Sequence, residues 1–459
     1  MITLFIIKPK PVILGMLVSL GTALSAQPAL DAYIEAALSN NLVLQQKNIT
    51  LEKAKTSLDI ARGYFLPTVS FQLGYQTADG GRDISLPLGD LLNHAYATLN
   101  QLTGTNNFPQ LDNQKVNFLP KNFYDGKVRT TIPVLNSQIR YNRTISGQQV
   151  ALSSYEIDIY KRELVKDVKT AYYNYLNALR AISVYEQASG LAHEGRRVNQ
   201  KLLDNGKGLP AYVLRSDSEI ENVNAQLEAA RQQANNAAAY FNFLLNRDQQ
   251  AAIDTQFDAA PVLGQVASLL AAEPQMTGRE EVKALQQAVD IRETMVRMNK
   301  AAYQPSLNAF LDLGSQAEDW RFDKQSRYYM LGFQLEVPIF SGNRNKNKIR
   351  QSQQEAEQAK LVLSHGWMQL QLAGTTAKNN LKSAWKTYTA SGKQLEAAAS
   401  YQRLIDRGYR EGINTFIETV DARNQYTQAS ILHLINEYKV LIAVATLERE
   451  TAAYSIHKN

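Results

Sequence analysis

The five histidines His94, His193, His365, His433 and His457 are scattered, and none stands at the spacing a helical zinc site needs. No nucleophile motif and no phosphate loop occurs, and Gly206-Lys207-Gly208 is too short to cradle a phosphate. The residue types that could act are a pair of acids, Glu418 and Asp421, directly after the glycine turn Gly412-Ile413-Asn414-Thr415. Three positions apart, they share one helix face. Such a pair does not suggest acid–base catalysis. It suggests either solvated acids in the first turn of a helix, where the macrodipole favours them, or fixed negative charge at a narrow opening built by several copies of the chain. Two carboxylates about 6 Å apart repel by roughly 3 kcal/mol at an effective dielectric near 20. A ring of them would either hold cations or keep some members protonated. The chain reads as no enzyme and needs no cofactor or metal.

The elements that must position this pair are long helices. Leu164, Val168, Ala171, Tyr175, Leu179 and Ile182 follow the seam spacing of helices packed side by side. The run from about Ser137 to Leu203 would be roughly 100 Å long at 1.5 Å per residue. Ala211 to Asn246 returns from a first tip, Gly208 to Asp217, which sits 204 positions before the second. Before each long helix the period falls from about 3.6 to two. Val69, Phe71, Leu73 and Tyr75 alternate with Ser70, Gln72 and Gly74, and Val128, Thr130, Ile132 and Val134 with Lys127, Arg129 and Thr131. Leu307 to Leu313 and Tyr329 to Val337 repeat the pattern, and Pro67, Pro133, Pro305 and Pro338 mark strand–helix junctions.

Laid end to end, the order is helix, strand, strand, long helix, tip, helix, given twice. Residues 1–26 read as a signal peptide, with Lys8 and Lys10 before a short apolar run. Residues 27–246 are the first repeat, 247–277 a connector and 278–459 the second repeat. Leu30 to Tyr64 reads as helical, and residues 79–126 read as a long loop with a short helix near Asp90 to Leu99. Four two-faced strands suit a membrane barrel, but single-chain barrels start at eight. Open edges are not viable in lipid, so this reading requires an oligomer.

The net charge of +6, or +4 without residues 1–26, is too mild for a nucleic-acid surface. With no cysteine, neither a disulfide nor a lipid anchor on a processed N-terminal cysteine is available. A periplasmic coiled-coil adaptor or structural protein would explain the long helices, but not four symmetrically placed strands.

Leu30, Ile34, Ala37, Leu38 and Asn41 at the mature start, Leu66-Pro67-Thr68, the Pro133 and Pro338 junctions and the two glycine tips together resemble the TolC-type outer-membrane efflux protein family. The resemblance implies a mainly α fold with a small β part, in which long antiparallel hairpins and four membrane strands per chain form a trimeric channel-tunnel. It implies a homotrimer in the outer membrane, reaching into the periplasm, with outer-membrane lipid around its barrel. A periplasmic adaptor protein and an inner-membrane pump would dock at the tips, around Gly208, Leu209, Asp217, Tyr409, Gly412, Ile413 and Thr415. Glu418 and Asp421 occupy the family's aperture positions, and Tyr409 that of a latch tyrosine. The family's tip arginine is replaced by Asn414, and its Thr-Asp partners by Val213 and Leu214. Arg215 and Asp217 stand nearby. The implied role is a passive exit duct of a tripartite efflux or type I secretion system.

Overall fold

The computed structural model describes residues 28–273 and 278–456; the expected signal segment and His457 lie outside them. Nine α-helices and six strands are present among the described residues: α1 (Pro28–Asn40), α2 (Leu42–Gly63), β1 (Thr68–Gln76), β2 (Asp83–Leu86), α3 (Leu88–Thr103), β3 (Gln114–Asn117), β4 (Phe123–Leu135), α4 (Ser137–Asp204), α5 (Pro210–Leu244), α6 (Ala260–Ala271), α7 (Glu280–Lys300), β5 (Ser306–Glu318), β6 (Arg327–Glu336), α8 (Arg344–Arg410) and α9 (Phe416–Glu450). The chain is mainly helical with a small sheet part. It divides into two compact units, one of residues 46–157 and 280–368, the other of residues up to 45, 158–279 and 369 onward.

The helical unit is built on an apolar seam. Leu30, Ile34 and Ala37 of α1, Leu164, Val168, Ala171 and Tyr172 of α4, Phe241 of α5 and Leu434, Tyr438 and Leu441 of α9 are buried together. Tyr33, Tyr172 and Phe241 add edge contacts at ring separations of 5.1–6.0 Å. A second cluster joins Val266 of α6 to Leu381 of α8 and Val440 and Val444 of α9. The helix expected from Leu30 to Tyr64 is in fact two helices, because Asn41 interrupts it. Its Oδ1 accepts from the backbone N–H of Val43 and Leu44 at 3.0 and 3.1 Å, capping α2. Its Nδ2 donates to the Leu244 carbonyl at 3.1 Å, and the Tyr160 hydroxyl donates to its Oδ1 at 3.1 Å.

The other unit carries an antiparallel sheet in the order β1-β4-β5-β6. Cross-strand partners point to the same side, so the register sorts the sheet into two faces. Val69, Phe71 and Leu73 of β1 stand opposite Thr130, Val128 and Gly126 of β4, and Val128 opposite Leu313 of β5. Ser70, Gln72 and Gly74 stand opposite Arg129, Lys127 and Asp125. One face is therefore apolar and exposed, with Phe71 at 71% and Phe333 at 69%. The other is polar. The sheet is open, with β1 and β6 as its edges.

At one end of the sheet Trp320 folds back onto the apolar face and stacks on Tyr75 and Tyr124, at 5.7 and 5.2 Å. It does so from a backbone φ of +54°, next to Asp319 at +53°. Left-handed backbone at a tryptophan is rare, and the aromatic stack offsets it.

Two expectations change here. Residues 79–126 hold the expected helix, as the 16-residue α3, but are not otherwise a long loop, since β2 and β3 pair. Asparagines hold this excursion together. Asn93 bonds both backbone groups of Leu111, at 2.7 and 2.9 Å, and Asn100 those of Phe108, at 3.0 and 2.7 Å. Strands of four residues are too short for their alternation to register in sequence. Pro133 is inside β4 rather than at its end, opposite Asn308, where a bulge before Leu135 accommodates it. Pro67 and Pro305 directly precede β1 and β5, and Pro338 follows β6 by two residues.

Candidate functional site

Both hairpin tips belong to the helical unit. At the second, α8 ends in a turn in which Ile413 N–H donates to the Gly408 carbonyl at 2.8 Å and Gly412 N–H to Tyr409 at 3.1 Å. Gly412 takes φ +78°, which only glycine adopts at no cost. At the first tip the left-handed residue is Gly206, at φ +70°, not Gly208. Gly208 is needed for another reason: a Cβ there would come within 2.6 Å of Leu203 N and 2.9 Å of Leu202 C, both backbone. The tips correspond at an offset of 206 positions rather than 204, because the α5 and α9 caps Leu209 and Thr415 share the spacing of Gly206 and Gly412. On this offset Glu418 and Asp421 answer to Tyr212 and Arg215, so only the second tip carries the acidic pair.

The two acids do different things. Glu418 closes a capping box: its backbone N–H donates to Thr415 Oγ1 at 3.3 Å, and its Oε2 accepts from Thr415 N at 2.6 Å. Thr415 Oγ1 and Asn414 Nδ2 also reach that oxygen, at 3.0 and 3.3 Å. The Thr415 backbone N–H, then the Thr415 and Asn414 side chains, hold the Glu418 carboxyl below the usual glutamate range. Among the described residues, Asp421 accepts only from Gln425 Nε2, at 2.7 Å. Neither acid has an ion-pair partner among the described residues, where the chain otherwise forms many.

Behind the acids, the tip is tied to the first hairpin by contacts that long-range folding alone creates. The Tyr409 hydroxyl donates to Asn199 Oδ1 at 2.7 Å, Asn199 Nδ2 donates to Ser216 Oγ at 2.9 Å, and Ser216 Oγ donates to the Tyr212 carbonyl at 2.8 Å. Asn199 and Ser216 are buried, at 1% and 2% exposure. Burial pushes the Tyr409 hydroxyl pKa up, so it stays a donor. Phe416 is buried between Tyr212 and Tyr409, at 5.4 and 6.1 Å. Arg423 pairs with Asp406 at 3.1 Å and donates to the Leu191 carbonyl at 3.2 Å. Gly195 leaves space for its guanidinium, since a Cβ there would meet Arg423 Nη1 at 2.6 Å.

Asp217 lies against Arg196 of α4 in an ion pair, and Arg215 is exposed. The tip surface presents Leu209, Leu214, Ile413 and Ile417, all exposed. Asn199, Ser216, Asp406 and Arg423 escape a sequence reading because nothing local marks them. No three histidines or acids come together as a metal-binding group among the described residues.

The fold of long helical hairpins and a small sheet has counterparts in known proteins. The family model for outer membrane efflux proteins matches residues 33–247 and 276–452. Outer membrane protein TolC of Escherichia coli is 20% identical over 468 residues, covering 96% of this chain and 87% of TolC. Alkaline protease secretion protein AprF of Pseudomonas aeruginosa is 22% identical over 273 residues. That match takes in 58% of this chain and about half, 54%, of AprF. Among solved structures, the outer-membrane channel OprN superposes with a TM-score of 0.73 at 16% identity, over 93% of this chain and 90% of OprN. The chain belongs to the outer membrane efflux protein family and is a protein of the outer membrane.

Proposed function

We propose that the chain is the outer-membrane exit duct of a tripartite efflux or type I secretion system. It is a homotrimer in which each subunit gives β1, β4, β5 and β6 to a shared twelve-strand barrel. The observation that carries this reading is the open, two-faced sheet. Its apolar face is suited to lipid, and its free edges require closure by further copies. Ser70, Gln72 and Gly74 face the lumen with Lys127 and Arg129. The two halves, 27–246 and 278–459, are an internal duplication joined by the connector 247–277. The helices form a tunnel through the periplasm.

The tips gate this tunnel and receive the periplasmic adaptor and inner-membrane pump, with Leu209, Gly208, Ile413, Gly412, Thr415 and Asp217 at the docking end. Three copies of Glu418 and Asp421 ring the aperture. Because its cap favours the ionised form of Glu418, the three Glu418 carboxylates meet their mutual repulsion by holding cations. Tyr409 latches the closed tip through Asn199, in place of the polar pair whose positions Val213 and Leu214 occupy. No chemistry is performed on the cargo.

The test is insertion of the detergent-purified chain into a planar bilayer, with its mass measured in parallel. Discrete conductance steps from a trimeric species are expected. A chain that stays soluble without detergent and gives no steps would overturn the reading in favour of a periplasmic coiled-coil protein.

A further inference from the structure

Between β6 and α8 the chain presents a surface that neither the duct nor its gate uses. Val337, Ile339 and Phe340 leave the sheet exposed, Ile339 at 93% and Phe340 at 81%. Gly342 and Asn343, both left-handed at φ +59° and +61°, then turn the chain into α8. The first two turns of α8 carry Arg344, Lys346, Lys348 and Arg350, and no acid occurs between Glu336 and Glu355.

This placement is unfavourable for the helix itself. The positive end of the macrodipole favours acids in the first turn, as α7 has with Glu280 and Glu281 and α9 with Glu418. The first turn of α8 has none. Farther along α8 and α7 the charges are paired, Glu355 with Arg292 at 3.1 Å and Lys360 with Glu293 at 3.0 Å. Lys346, Lys348 and Arg350 have no acidic partner among the described residues. Lys346 and Arg350, one helical turn apart, line a cleft of about 620 Å³ together with Tyr303, Asn343, Asn347 and Gln353. The cleft thus offers two cations, amide donors and one aromatic edge, and no carboxylate.

We infer that this cleft and the basic start of α8 bind the phosphate headgroup of an anionic phospholipid in the periplasm-facing leaflet. The inference rests on the membrane reading of the strands, which sets the end of β6 at the bilayer surface. Ile339 and Phe340 enter the acyl zone, while Lys346, Lys348 and Arg350 meet the headgroup. Polybasic residues beside a membrane-embedded segment attract anionic lipid. The apolar pair one turn away distinguishes this surface from a site for free phosphate. The bound lipid also neutralises the charges that α8 carries at its unfavourable end.

The test uses the full chain purified in detergent, with native mass spectrometry of lipid adducts. Phosphatidylglycerol and phosphatidylcholine of identical acyl chains are offered at equal concentration. The wild type is expected to prefer phosphatidylglycerol on the order of tenfold. Lys346→Gln/Lys348→Gln/Arg350→Gln should erase the preference while keeping the wild-type circular dichroism and oligomeric mass. Lys382→Gln/Lys386→Gln/Lys393→Gln, an equal loss of exposed charge in the helical unit, should leave it intact.

A preference that survives the first triple variant overturns the proposal, as does one lost equally in both. Displacement of phosphatidylglycerol by millimolar inorganic phosphate as readily as by itself overturns the lipid in favour of a free anion. Should the first triple variant not fold, the single variants Lys346→Gln and Arg350→Gln must each weaken the preference for the proposal to stand. Flotation of the wild type with vesicles separates the two readings. A chain that does not float loses its membrane strands, whereas one that floats without lipid preference loses only this cleft.

Discussion

The polar face of the sheet and the second hairpin tip both carry charge, and they treat it in opposite ways. At the middle of the sheet Asp125 and Asp312 are both answered, while Glu318 and Glu336 at the strand ends are exposed. Arg129 grips Asp312 with both Nε and Nη2, at 2.8 and 2.6 Å, directly across β4 and β5. Lys127 and the Tyr328 hydroxyl both donate to Asp125, each at 2.7 Å. Tyr328 reaches it across Gly314, where a Cβ would stand 2.9 Å from its ring. At the tip Glu418 and Asp421 receive only neutral donors. Opposed charges on one face cancel within a few ångströms and leave a passing ion little field. Unanswered acids do not. On the proposed reading, passage falls to the sheet and selection to the tip.

The largest effect that would break this contrast is expected from the tip backbone. Gly208→Ala sets a Cβ against backbone that cannot move aside, so the first tip should lose its fold locally. Gly206→Ala, a left-handed strain alone, should cost only about 1–2 kcal/mol. Hydrogen exchange of residues 202–212 compares the two. Equal protection in both variants would show that the close approach at Gly208 is dispensable.

Next in size is the latch. Tyr409→Phe leaves the buried Asn199 oxygen without its donor, a cost of about 1–3 kcal/mol. The tip should then open more often, read as a higher mean conductance. In the wild type the same bond depends on pH. The raised Tyr409 pKa makes its contribution complete below the ordinary tyrosine value of about 10 and lost as pH rises through the higher folded value. Conductance should therefore climb in alkali for the wild type and stay flat for Tyr409→Phe. At the acid end the sign reverses. The depressed Glu418 pKa makes its cap persist until pH falls below the ordinary glutamate range, about 4.3.

A smaller effect is expected from Arg129→Gln/Asp312→Asn, which removes a charge pair but keeps hydrogen-bonding groups. Heat resistance of the assembled channel should fall by a few degrees, with ion selectivity unchanged. A shift in selectivity would mean that the sheet, too, discriminates.

What the sequence makes legible follows from how far each signal reaches. Alternation over β1, β4, β5 and β6 and the seam on α4 are periodic over many residues, so these elements stand out unaided. The break at Asn41 depends on one side chain capping a helix, and continuous apolar spacing on both sides hides it. The excursion through β2, α3 and β3 is held by asparagine-to-backbone bonds 8 and 18 positions apart. The tip acids are visible because they follow a glycine turn. Their support is not, since Tyr409 and Asn199 are 210 positions apart and Arg423 and Leu191 are 232 apart. The offset of 206 is masked in the sequence because Gly206 and Gly208 are two residues apart and serve different needs, one a dihedral and the other a close approach.

The most direct test of the contrast is the reversal potential of single channels in a salt gradient, comparing wild type, Glu418→Ala/Asp421→Ala and Arg129→Gln/Asp312→Asn. Cation selectivity is expected in the wild type and the sheet variant, and its loss in the tip variant alone. Selectivity that survives without the two tip acids, or that disappears with the sheet pair, would contradict the contrast.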